Sequence, residues 1–171
     1  VNHPHAPLRL NVGFIVKQRI GYSRNFSFDF ASLLLAPDLE LQNFTGNAEV
    51  SRTQKGLLAR VGLNASTTVS CVRCLTPFQL ELHTRFTELF VELLHKASEI
   101  ELVLPEDGHI DLGPIAWEYF NLEIPINPIC KPDCKGLCPI CGENLNHTQC
   151  GHKIDDVDPR LKILKNLLPK L

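Results

Sequence analysis

Phe78-Gln79-Leu80-Glu81-Leu82-His83 alternates apolar and polar side chains, and the alternation continues toward Phe90. A strand sends successive side chains to opposite faces, so a period of two marks a strand with one face buried and the other wet. The pattern recurs upstream in Leu8-Arg9-Leu10-Asn11-Val12, Phe26-Ser27-Phe28-Asp29-Phe30 and Leu39-Glu40-Leu41-Gln42. Gly56 to Ala65 and Thr67 to Val72 are two further β-prone runs. Asn43-Phe44-Thr45-Gly46-Asn47 is rich in turn formers and reads as a link. Residues 29–35 have a second reading as a short helix, because Asp29 and Ser32 offer caps ahead of an apolar run. Half-buried alternation belongs to antiparallel sheets. Parallel strands read as continuous apolar runs joined by helices, and no such helices are visible. Residues 8–104 are therefore expected to form mainly an antiparallel sheet or open barrel.

Two helices are expected downstream. Asp111 is a candidate N-cap and Pro114 suits a first turn. Leu112, Ile115, Ala116 and Tyr119 then share one face at helical spacing, and Pro125 and Pro128 end the run. Trp117 reads as a core anchor. A second helix begins at Asp158-Pro159, with Leu161, Leu164 and Leu168 as its stripe. The fold class is α+β. The division is a β-rich core over 1–128, with a helix near 112–123, followed by a metal-binding segment and basic helix over 129–171.

Residues 129–152 have almost no periodicity, which is long for a structureless stretch in a compact domain. The cysteines supply the ordering agent. Cys71-Val72-Arg73-Cys74, Cys130-Lys131-Pro132-Asp133-Cys134 and Cys138-Pro139-Ile140-Cys141 are pairs at close spacing, and Cys150-Gly151-His152 follows. Seven thiols and one imidazole make two tetrahedral zinc sites with no ligand left over. Cys138, Cys141, Cys150 and His152 form a local quartet, with Gly142 placed to permit a positive φ. Cys71, Cys74, Cys130 and Cys134 form the second, joining sheet to tail. The competing grouping puts Cys130, Cys134, Cys138 and Cys141 in one site and leaves Cys71 and Cys74 as a free or redox pair. One or two structural zinc ions are thus expected. Redox use of Cys71 and Cys74 would want a helix N-terminus, whereas this pair ends a strand. Catalytic zinc, with Glu143 as base, would need an open ligand position, and eight donors for two ions leave none. The remaining histidines (His3, His5, His83, His95, His109, His147) read as solvated or core residues.

The formal net charge of −2 gives no global polycation to argue for nucleic acid. The balance is uneven, because residues 131–171 carry 7 Lys and Arg against 5 Asp and Glu. Arg73, Lys131, Lys135, Lys153, Arg160, Lys162 and Lys165 are candidate phosphate contacts around the zinc sites, with an ordinary solvated face as the alternative. Aromatics for base stacking are missing near the tail, which argues against sequence-specific readout of single strands. No apolar run approaches the ~20 residues of a membrane span. The first ten residues lack the apolar core of a secretory signal, and they are too short and too poor in Ser and Arg for a transit peptide, though one could have been removed. Paired cysteines in odd total number fit a reducing compartment. The Asn-x-Ser/Thr matches at Asn25, Asn43, Asn64 and Asn146 are therefore read as chance.

The ordered set of motifs resembles the YceD family, the large ribosomal RNA subunit accumulation proteins. Cys71-Val-Arg-Cys74-Leu-Thr-Pro-Phe78 is similar to that family's first cysteine element. Ile110-Asp111-Leu112 and Leu122-x-Ile-Pro125 resemble its middle segment. Cys134-Lys-Gly-Leu-Cys138-Pro-Ile-Cys141-Gly142-x-Asn144-Leu145-Asn146 and Asp158-Pro159-Arg160-Leu161 resemble its cysteine-rich C-terminal form, typical of cyanobacterial, plastid and many other bacterial members. His152 stands where similar proteins often have cysteine. The resemblance implies a non-enzymatic role in accumulation or processing of large-subunit (23S) ribosomal RNA. Its partners would be that RNA, a pre-ribosomal particle or another assembly factor, in the cytoplasm or plastid stroma. An adaptor using the Leu161/Leu164/Leu168 stripe without RNA contact is a second expectation, and a thiol redox protein a third.

Overall fold

The computed structural model describes residues 7–92 and 102–152. The expected C-terminal helix with Asp158, Leu161, Leu164 and Leu168 lies outside them. So do Lys153, Arg160, Lys162, Lys165, His3, His5 and His95.

The described chain runs β1 (Arg9–Asn11), α1 (Gly13–Val16), β2 (Ser23–Leu35), β3 (Leu39–Arg52), β4 (Gly56–Ser70), β5 (Pro77–Val91), β6 (Leu102–Val103), β7 (His109–Asp111) and α2 (Gly113–Glu123). The main sheet has the order β2-β3-β4-β5-β6, and β1 and β7 form a separate antiparallel pair. The architecture is α+β and mostly antiparallel. It departs from a purely antiparallel sheet at one edge, where β6 pairs parallel to β5 through Phe90↔Leu102 and Val91↔Val103. Two residues are too few to show a burial period, so this strand left no pattern to read.

Three local readings are corrected. Residues 29–35 are strand, the end of β2 paired with β3 from Ser23↔Ser51 to Leu35↔Leu39. Cross-strand pairing over twelve positions overrides the weak helix caps. Asn43 to Asn47 is no link, because β3 passes straight through it. Turn-forming residues serve here a β-bulge between Gln42 and Thr45, with Asn43 in the left-handed region at φ 51°. The two runs from Gly56 onward join in the single strand β4, which ends at Ser70, so that Val72 lies in the turn beyond it.

α2 matches the expected helix. Its N-cap position is Leu112, and Asp111 contributes from one residue earlier, its Oδ1 accepting the Gly113 N–H at 2.8 Å. Ala116 and Phe120 face inward. Phe44 is the centre of the aromatic core, with ring centroids 6.5, 6.0 and 6.1 Å from Phe28, Phe30 and Phe120. Phe86 stacks on Tyr119 at 4.6 Å. Trp117 packs partly buried against this core and donates Nε1–H to Asp38 Oδ1 at 3.2 Å.

The chain divides into two compact units. The first runs to Val69 and resumes over Pro77–Pro128; the second joins Ser70–Thr76 to the residues from Ile129. The short β4–β5 connection thus belongs with the cysteine-rich segment. No helix among the described residues is long and apolar enough to cross a membrane.

Candidate metal centres

Both centres lie in the second unit and are built from tight turns. In the first knuckle the Leu75 N–H donates to Cys71 O at 2.8 Å; in the second the Gly142 N–H donates to Cys138 O at the same distance. Each turn folds its two thiols onto one side. The turn needs a left-handed residue after the second cysteine, and Gly142 supplies it at φ 75°. Leu75 holds the corresponding place at φ 58°, a strained conformation for a leucine, with its side chain exposed.

Cys71, Cys74, Cys130 and Cys134 bring their Sγ atoms within 4.8 Å of one another. Cys138, Cys141, Cys150 and His152 do the same with three thiols and an imidazole nitrogen. The alternative quartet of Cys130, Cys134, Cys138 and Cys141 is not among the groups gathered in the described residues. Cys71 and Cys134 are 3.9 Å apart at sulfur, Cys74 and Cys130 3.7 Å, and Cys138 Sγ to His152 Nδ1 3.8 Å. Disulfides need ~2.05 Å, so these thiols are not bonded to each other. A tetrahedral ion with bonds of ~2.3 Å to sulfur has ligands ~3.8 Å apart, which these spacings match. Both sets fit a soft divalent ion such as zinc, held by protein donors alone.

The proton affinities are unequal. Burial pushes the Cys71 thiol up, but backbone N–H groups of Cys130, Cys74 and Arg73 bring it down to about 6. Cys138 is also lowered to about 6, mainly by the backbone N–H groups of Cys141 and Ile140. Thr76, through its hydroxyl and its backbone, lowers Cys74. Burial and the neighbouring thiols raise Cys130 to about 12. Each quartet thus contains a thiol ready to serve as a thiolate near neutral pH.

A polar layer fixes the donors. Asn146 Nδ2 donates to Cys134 Sγ at 3.4 Å and to Asn144 Oδ1 at 2.8 Å, while Asn146 Oδ1 accepts the Lys135 N–H at 3.0 Å. Asn144 Nδ2 donates to Thr76 Oγ1 at 3.1 Å, and that hydroxyl lies 3.4 Å from Cys74 Sγ, placed to donate to its thiolate. Partners of this kind orient ligands and tune their basicity. In the sequence Asn144 and Asn146 stand out only as motif positions. Their signal was their place just after the second knuckle, where a turn must close back on the first.

Arg73, Lys131 and Lys135 each stand one residue from a thiol of the first quartet and are exposed. Arg73 donates to Cys134 O at 3.1 Å, and Lys131 Nζ lies 4.0 Å from Asp133 Oδ2. Glu143 is engaged with Thr148 Oγ1 at 3.4 Å. In the first unit His83 pairs with Asn64 Oδ1 at 3.0 Å, and His109 Nδ1 lies 2.8 Å from Asp107 O; His147 is exposed.

Fold and site together define a β-sheet protein bearing a cysteine-rich unit with two four-donor clusters able to hold a metal ion. A family model described as "Large ribosomal RNA subunit accumulation protein YceD" matches residues 59–168, and the chain belongs to that family. An uncharacterized protein of Mycobacterium tuberculosis is 31% identical over 168 residues, covering 96% of this chain and 70% of that one. The uncharacterized protein YlbN of Bacillus subtilis is 36% identical over 104 residues, 57% of this chain and 58% of its own. The chloroplastic large ribosomal RNA subunit accumulation protein YCED homolog 1 of Zea mays is 45% identical over 42 residues, 25% of this chain and 14% of its own. No solved structure matches the chain.

Proposed function

We propose that this protein is a non-catalytic factor for the accumulation or processing of large-subunit ribosomal RNA. In this reading it acts in a reducing compartment, cytoplasm or plastid stroma, and two structural zinc ions hold its second unit. Zinc at the first quartet fixes Arg73, Lys131 and Lys135 around one centre, a surface for phosphates of the RNA or of an assembling particle. The observation that carries the reading is the closure of both quartets. Each offers four protein donors to one ion, which is the pattern of a folding site, while a catalytic zinc keeps a position for water. Family membership supports the large-subunit RNA as the object of the role.

The test is genetic. Deleting the gene in the source organism should lower large-subunit RNA relative to small-subunit RNA. The wild-type gene should restore the ratio, and a Cys71→Ser/Cys74→Ser gene should not. A ratio unaltered by deletion would sink the proposal.

A further inference from the structure

β3, β4 and β5 turn a polar face outward, and one feature of that face has no explanation in the fold. Three glycines lie inside the long strands. A Cβ on Gly46 would stand 2.5 Å from Gly62 O, and one on Gly56 2.0 Å from Phe90 O, so close backbone approach demands glycine at both. Gly62 is different. Its φ is outside the left-handed range, and a Cβ there would meet only ordinary contacts, Asn47 Oδ1 at 3.7 Å and Arg85 Cγ at 3.9 Å. Glycine in a strand interior weakens the strand, and where packing does not call for it, it marks a place where something approaches the backbone.

Gly62 is in the floor of a groove of ≈ 680 Å³ whose lining includes Asn47, Asn64, His83, Arg85 and Glu123. The groove offers amides, an imidazole and a guanidinium beside a nearly equal share of apolar surface, on which a base or ribose can lie. Arg60, in the adjoining hollow, is 3.7 Å from Glu49, whereas Arg85 has no carboxylate partner among the described residues. One uncommitted cation beside a bare backbone floor and several hydrogen-bonding edges fits one nucleotide. Glu123 and Glu49 disfavour a polyphosphate.

We propose that the Gly62 groove seats a nucleotide unit of an unpaired RNA strand, with the base or ribose against the Gly62 backbone and one phosphate on Arg85. This rests on the RNA-related role proposed above, and it places a contact on the sheet in addition to the surface around the cysteines.

The test is fluorescence anisotropy with a labelled, mixed-sequence single-stranded RNA of about a dozen nucleotides, titrated across salt. Gly62→Val should leave the melting temperature unchanged or raised, because valine suits a strand, yet weaken binding about tenfold by filling the floor. Arg85→Gln should weaken binding several-fold and reduce the salt slope by about 0.7, the value of one phosphate contact on a single strand. Should Gly62→Val fail to fold, Arg85→Gln and its salt slope decide alone. Folded variants that bind as wild type does, or a wild type that binds no RNA, overturn the groove. Weakening by Lys131→Ala/Lys135→Ala with no effect of the groove variants would overturn it too. That last result would leave the ribosomal-RNA reading standing, and the RNA ratio in cells judges that reading separately.

Discussion

Cys71 and Cys130 belong to one quartet yet hold their protons with opposite strength. Backbone N–H groups reach Cys71 and favour its thiolate, while Cys130, half-buried beside three other sulfurs, is desolvated and resists ionisation. The same contrast separates Cys138, at about 6, from Cys141, where the Glu143 backbone N–H pulls down but desolvation and the neighbouring thiols together outweigh it and raise the thiol. Metal binding requires thiolates, so protons compete with the ion. Above about pH 6 Cys71 and Cys138 have already lost theirs, and bound metal displaces protons from the remaining thiols. Below about pH 6 these two are protonated as well. Zinc affinity, measured by competition with a chromophoric chelator, should therefore fall as pH falls, and more steeply below about 6. Affinity independent of pH would contradict the thiolate assignment. The sequence displayed the donor set but not these differences, which depend on which N–H groups point at which sulfur.

At the scale of elements the two knuckles are the same turn built from different sequences. Leu75 and Gly142 make equivalent hydrogen bonds, and only the glycine reveals its conformation from sequence. Partition of the ligands was open in the sequence because cysteine spacing does not say which pairs meet. The β4–β5 connection decides it by bringing Cys71 and Cys74 to Cys130 and Cys134. Elemental analysis of the purified protein should find two zinc ions per chain, and one after Cys71→Ser/Cys74→Ser. Asn146→Ala removes the donor to Cys134 Sγ and should weaken zinc binding at that centre roughly tenfold or more. An unaltered zinc content in the double variant would detach the first pair from any metal.

At the scale of the whole molecule the apolar core and the two donor clusters share no residue. The core cluster, from Leu8 to Phe120, contains none of the cysteines, although Cys71, Cys74, Cys134 and Cys138 are buried. A strong chelator should therefore abolish the ordered state of the second unit while the sheet keeps its strand signature and its cooperative thermal transition. Circular dichroism and proteolysis would show this, with cleavage gained in the second unit, at residues 70–76 and from 129 onward, and not in the sheet. A single collapse of both on chelation would mean that the sheet depends on metal.

The sequence by itself determined the strand-rich first unit, the helix at Gly113–Glu123 and the eight donors, because side-chain period, proline placement and ligand chemistry are local properties. Only the tertiary structure decided the bulge at Asn43, the parallel strand β6, the pairing of Cys71 and Cys74 with Cys130 and Cys134, and the open floor at Gly62. Each of these depends on what lies across a strand or a turn many residues away. A chain read residue by residue does not carry the distance to a neighbour that only folding supplies.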